Sequence, residues 1–201
     1  METYFKPKNE LPKNSYVKIR KKQYIPTQRN DAMTRSEINK MFMKSQSAMI
    51  KGIMAVMLMT GSRISEVLML RGKDITTDEE YIYFNCYILK KRNGIERIIK
   101  KIPKTHDYLK YFKEYVNSKA IKEENLVFPT SREYVWKKVK QLNPESSPHM
   151  FRHTIATYLG EKLDIFTLQK WMGWSNLNMA VKYVHPKNVI DAGSTAMGEI
   201  F

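Results

Sequence analysis

From Thr34 onward the apolar positions fall into short periodic runs separated by breakers, a regularity that the first 30 residues lack. Thr34-Arg-Ser-Glu37 reads as a capping box, in which the threonine hydroxyl accepts from a backbone N–H one turn on and the glutamate reaches back. A helix is predicted from there to about Lys44. A second, almost wholly apolar helix is predicted from about Ala48 to Met59, its methionines serving as adaptable core filler. Thr60-Gly61-Ser62 breaks that helix, and Ser62 is placed to cap the next. In that helix Ile64, Val67, Leu68 and Leu70 recur at helical spacing until Gly72.

The period then changes. Tyr81-Ile-Tyr-Phe-Asn-Cys-Tyr-Ile-Leu89 is a strand by residue type, Asn93-Gly94 is a strong two-residue hairpin signal, and Ile95 to Ile102 is the returning strand, ended by Pro103. Helical spacing resumes over about Thr105 to Asn117, with Leu109, Phe112 and Val116 facing inward. After a short apolar Leu126-Val-Phe128, a helix is predicted over about Ser131 to Leu142. Another is capped and opened by Ser147-Pro148 and stops near Gly160. Asp164 and Ser175 can each cap a further short helix. The expected fold class is therefore α+β and mostly helical, carrying one small antiparallel sheet. Residues 1–30, rich in Lys, Pro, Asn and Gln, read as a basic tail or linker, residues 31–185 as the domain, and residues 186–201 as a C-terminal tail.

Composition sharpens this picture. Hydrophobic residues make up 42% of the 201, enough for a real core, while 35 Lys and Arg against 20 Asp and Glu leave a formal charge of +15. Folding does not need that excess, and self-repulsion makes it a cost. It points to a polyanionic partner, nucleic acid before anionic membrane, with a generally basic surface as the plain alternative. The single cysteine, Cys86, allows no internal disulfide and fits a reducing compartment. The N-terminus lacks a signal-peptide pattern, and the longest apolar stretch, near Ile53 to Thr60, is too short to cross a bilayer. A cytoplasmic protein without membrane contact is expected.

Few residues suggest chemistry. His149, Arg152 and His153 share a helix face, because positions three and four apart are neighbours on a helix. A guanidinium and two imidazoles near a helix start make an anion site, whereas the plain reading is a solvated polar face. A zinc site on the histidine pair needs a third ligand, and the one thiol lies in a predicted strand. Arg63 begins an apolar helix, Lys90-Lys91-Arg92 precedes the Asn-Gly turn, and Tyr183 follows Ser175 by eight residues. Each also fits a plain role: a helix start, a solubilising turn, a core or rim tyrosine.

Taken in order, these segments resemble the catalytic domain of the tyrosine recombinase, or phage integrase, family. Thr60-Gly-Ser-Arg63-Ile-Ser-Glu66-Val-Leu resembles its first arginine box, and Lys90-Lys-Arg-Asn-Gly-Ile-Glu-Arg97 the hairpin that bears its lysine. Pro148-His149-Met-Phe-Arg152-His153-Thr154 is similar to its His-x-x-Arg box. Met172-Gly173-Trp174-Ser175 is similar to its Gly-His-Ser box, with Trp174 in the histidine position and Tyr183 nine residues after it. The resemblance spans about Met33 to His185. The hairpin is about two residues longer than in common members, so the lysine is Lys90 or Lys91, with Lys90 preferred.

The resemblance implies a site-specific DNA recombinase working without metal, ATP or cofactor. Tyr183 would attack a DNA phosphodiester and leave a 3′-phosphotyrosine and a free 5′-hydroxyl. Arg63 and Arg152 would hold the nonbridging oxygens with His149 assisting. Lys90 would protonate the leaving oxygen, His149 would take the phenol proton, and Trp174 would wall the pocket and donate one indole hydrogen bond. Glu66 would orient an arginine or histidine, and His153 would support rather than react. The implied partners are double-stranded DNA at a specific site and, on paired sites, a homotetramer. The alternatives are type IB topoisomerase-like relaxation, a non-catalytic DNA-binding module on the same scaffold, and an RNA-binding basic protein. About 30 residues, polar and basic in character, precede Thr34, too few for the separate DNA-binding domain usual in relatives. Modest, strongly salt-dependent DNA binding is therefore expected.

Overall fold

The computed structural model describes residues 32–89 and 96–184. Helices α1 (Arg35–Lys44), α2 (Ala48–Thr60) and α3 (Ile64–Leu68) lead through a 3-10 turn (Gly72–Asp74) into strands β1 (Ile75–Thr77), β2 (Tyr81–Ile88) and β3 (Glu96–Pro103). Helices α4 (Leu109–Asn117), α5 (Arg132–Leu142), α6 (Pro148–Gly160), α7 (Ile165–Met172) and α8 (Asn178–Val181) follow. The α+β, mostly helical expectation holds.

The central element is α2, which is apolar nearly all round and is buried from Gly52 to Thr60. It packs across α4 and α6. At Gly52 a methyl group would lie 3.2 Å from the Phe128 ring and from Tyr115 Cβ, so the missing side chain lets those aromatics close on the helix. The capping box forms as read: the Thr34 N–H donates to Glu37, and the Glu37 N–H to the Thr34 hydroxyl. Helix α2 ends at Gly61, whose φ of 66° is the left-handed conformation that glycine adopts without steric cost.

The sheet is antiparallel in the order β1-β2-β3. Along β2 the burial alternates, with Ile82, Phe84, Cys86 and Ile88 inward, and β3 runs back with Lys100 opposite Phe84 and Ile102 opposite Ile82. Strand β1 was not visible in the pattern, because three residues are too few to show a period of two.

Several boundaries differ from the sequence reading, each for a local reason. Ser62 does not cap α3: its N–H goes to the Thr60 hydroxyl, and Arg63 takes the cap position, its N–H donating to Glu66. Helix α3 stops at Leu68, because the chain turns into the 3-10 segment, where Asp74 accepts from the Arg71 N–H. Ser175 caps nothing; Leu177 precedes α8, and Asn176 accepts from the Asn178 N–H. Helix α4 begins only at Leu109 and buries Tyr115 more deeply than Val116, because the Tyr115 hydroxyl donates to the Val127 carbonyl. Among the described residues no helix is long and apolar enough to cross a membrane. The Lys90-Lys91-Arg92 tip and its Asn-Gly turn, and the tails 1–31 and 185–201, lie outside the described residues.

Candidate active site

The site is assembled around a buried carboxylate. Glu66, on the first turn of α3, is 3% exposed. One oxygen accepts from the Arg63 guanidinium at 2.7 Å and the other from the Arg63 backbone N–H at 2.7 Å. The second oxygen also lies 3.9 Å from the Arg152 guanidinium. A carboxylate this deep needs cationic partners, and it fixes two arginines that would otherwise repel each other.

Arg152 is itself only 4% exposed, which rules out a solvated polar face for this part of α6. Its guanidinium donates to the Gly61 carbonyl at 2.7 Å and to the Met172 carbonyl. Both carbonyls stand at helix C-termini, where the backbone dipole favours a cation. Burial pulls its pKa down to about 10, with the Arg63 charge adding to the drop and Glu66 and Tyr183 opposing it. Arg152 stays a cation at neutral pH. It also joins the ends of α2 and α7, so it is both a charge and a tie.

Arg63, His149 and Arg152 line one cleft of about 470 Å³, together with Arg132 and Trp136 from α5. His149 is exposed, at the first turn of α6. The α5 contribution had no sequence signal beyond the Ser131 cap, because nothing in the spacing says which neighbour a helix will face.

Trp174 and Tyr183 belong to a second, smaller core with Ala156, Leu168, Met172 and Ala180. The Tyr183 ring stacks on the Trp174 indole, centroids 5.3 Å apart and planes 15° apart. The Arg152 guanidinium lies 5.6 Å from the centre of the same indole. The phenol oxygen of Tyr183 is 2.8 Å from Nδ1 of His153. The chain carrying Tyr183 crosses α6 closely: a methyl group on Gly160 would lie 2.1 Å from the Tyr183 carbonyl oxygen.

The structure thus brings Arg63, His149 and Arg152 to one cleft, and places Trp174 and Tyr183 beside Arg152. Lys90 lies outside the described residues. Glu66, expected to orient an arginine or a histidine, pairs with Arg63 and lies 3.9 Å from Arg152. His153 meets the phenol, a contact that sequence spacing alone did not suggest.

This arrangement has the fold of tyrosine recombinase catalytic domains. It overlays the catalytic domain of bacteriophage HP1 integrase with a TM-score of 0.60 at 18% identity, covering 84% of this chain and 95% of that one. It overlays XerH site-specific recombinase bound to difH substrate with a TM-score of 0.65 at 20% identity, covering 84% of this chain and 55% of that one. The chain belongs to the phage integrase family, whose model matches residues 26–188. It is 28% identical to the tyrosine recombinase XerA of Saccharolobus solfataricus over 159 residues, 77% of this chain and 52% of the relative. The chain spans about half the length of the curated relatives it matches.

Proposed function

We propose that the chain is the catalytic part of a site-specific DNA recombinase acting in the cytoplasm on double-stranded DNA and assembling as a homotetramer on paired sites. In this reading residues 31–185 are the catalytic domain, residues 1–30 a basic arm and residues 186–201 a tail. Tyr183 attacks phosphorus, forming a 3′-phosphotyrosine link and releasing a 5′-hydroxyl, and a 5′-hydroxyl from another strand reverses the step. The bond energy is kept in the protein link, so ATP is not required.

The observation that supports this best is the convergence of Tyr183 with Arg152. One indole, Trp174, carries the phenol against its face and has the guanidinium within 5.6 Å of its centre. Phosphate ester cleavage demands on the order of 20 kcal/mol from a site. Fixed cations aimed at the phosphate oxygens are the strongest available source. Arg63 and Arg152, held by Glu66, fill that part, and His149 at the cleft rim adds a donor. Lys90, or its neighbour Lys91, protonates the leaving oxygen. Trp174 shields the pocket.

The test is incubation with a nicked suicide duplex of the cognate site, read by denaturing electrophoresis. An SDS-resistant adduct is expected, unaffected by EDTA and lost in Tyr183→Phe with DNA affinity retained. An adduct that persists in Tyr183→Phe, or cleavage that needs added magnesium or zinc, would sink the proposal.

A further inference from the structure

We infer that His153, rather than His149, is the proton acceptor for the Tyr183 phenol, an assignment that rests on the recombinase reading above. His153 sits one turn beyond His149 on α6 and is 6% exposed. Its Nδ1 is 2.8 Å from the phenol oxygen, and the two rings meet edge to face, 62° apart with centroids at 5.1 Å. On its other side the phenol lies flat on Trp174. A parallel indole and a tilted imidazole leave the ring little freedom, so the oxygen is aimed at Nδ1. Among the described residues Arg152 interacts electrostatically with the phenol, with Arg63 and Glu66 behind it.

The chemistry follows from that contact. A phenol ionises near pH 10 and an imidazole near 6.5, and with the ring proton on Nε2 the neutral imidazole accepts the phenol hydrogen at Nδ1. As the phenol oxygen bonds to phosphorus, the phenol proton passes to Nδ1. The bond from phosphorus to the 5′-oxygen breaks, and that oxygen takes a proton from Lys90 or Lys91. In the reverse step the imidazolium returns its proton to the phenol. Transfer to a base of lower pKa is uphill until the new bond forms, which suits a base that acts only in the transition state. The Arg152 charge acts on the phenol and favours the phenolate.

The test uses the full chain and the suicide duplex under single-turnover conditions from pH 6 to 9.5. His153→Asn keeps an acceptor near the Nδ1 position but cannot take a proton. It should slow cleavage about 100-fold or more at pH 7, the span general-base catalysis supplies, with DNA affinity and melting temperature near wild type. Its rate should climb towards pH 9.5. A fluorinated tyrosine of lowered pKa at position 183 should restore at least about tenfold at pH 7. His149→Asn should slow cleavage without that rescue. Wild-type cleavage in His153→Asn, or a loss that neither pH nor fluorotyrosine recovers, overturns the assignment. If His153→Asn melts early, nitrogen NMR of the wild-type imidazole decides: the Nε2–H form, with Nδ1 shifting in Tyr183→Phe, is expected, and the Nδ1–H form overturns it. Absence of any adduct with the wild-type chain is a different outcome and counts against the recombinase reading.

Discussion

The indole of Trp174 lies parallel to the phenol of Tyr183, with planes 15° apart and centroids at 5.3 Å, and is 7% exposed. In the resemblance Trp174 occupies a histidine position. A tryptophan cannot titrate there, but it offers a broad apolar face and one N–H donor. Its larger contribution is mechanical: it holds the tyrosine ring at one angle while touching the arginine side of the site.

Trp174→Ala should therefore cost stability and rate together. Removing a buried aromatic costs about 3–5 kcal/mol, and the stacked pair accounts for about 1 kcal/mol of that. Trp174→Phe should recover most of the stability, since a ring still lies under the phenol. Urea unfolding alongside single-turnover cleavage checks both. Equal melting of the Ala and wild-type forms would show that the stack does not hold the tyrosine.

Glu66→Gln removes the charge that reconciles Arg63 with Arg152 while keeping the shape. Breaking a buried ionic set by removing one partner costs about 3–5 kcal/mol, because the remaining charge is left uncompensated. The variant should unfold at lower urea and cleave more slowly. Moderate phosphate or sulfate should restore part of the stability by occupying the vacated countercharge role. If salt of either kind gives Glu66→Gln no more stabilisation than wild type, the two arginines are not in electrostatic conflict.

Much of this site was readable before any coordinates. Arg63, Glu66, His149 and Arg152 sit at recognisable helix starts, and the break at Gly61 follows from residue type. Local pattern could not show what lies across the fold. His153 and Tyr183 are 30 residues apart and meet only because the segment after α8 crosses α6. Arg132 and Trp136 reach the cleft only because of the way α5 is placed. Lys100 is the instructive miss. It has the same parity in β3 as the buried Ile102, so its inward direction follows from the strand period, but lysines on strands read by default as solvated.

Gly160→Ala tests the crossing of the tyrosine segment over α6. A Cβ there would stand 2.1 Å from the Tyr183 carbonyl oxygen, a backbone atom that cannot swing aside. The segment must lift, so the Tyr183 phenol should lose its place between Trp174 and His153. Cleavage should fall by at least about tenfold, a misplacement effect, while α1 to α5 keep their hydrogen-exchange protection. Cleavage at the wild-type rate would mean that the segment already stands away from α6 in solution.

Lys100 supplies a pH dependence whose sign is fixed. Its ammonium lies 4.6 Å from the centre of the Trp171 ring in the interior. Burial holds its pKa down to about 7, with the Arg152 charge adding to the drop and Cys86 and Glu66 opposing it. The unfolded lysine ionises near 10.5, so between about pH 7 and 10.5 the unfolded chain binds more protons than the folded one. Stability must rise with pH across that window, and the penalty is complete below pH 7. A fall of that size corresponds to about 5 kcal/mol at most, since each unit is worth about 1.4. Lys100→Met keeps the volume and removes the charge, so it should stabilise the chain by about 3–5 kcal/mol at pH 6. The gain should shrink steadily towards pH 10, where the folded lysine is neutral and removing the proton from the unfolded one costs little. Urea unfolding at pH 6, 8 and 10 reads this directly. A gain that does not change with pH would show that Lys100 is already neutralised by a partner, and a loss at pH 6 would show that its cation on the Trp171 face outweighs the cost of burial.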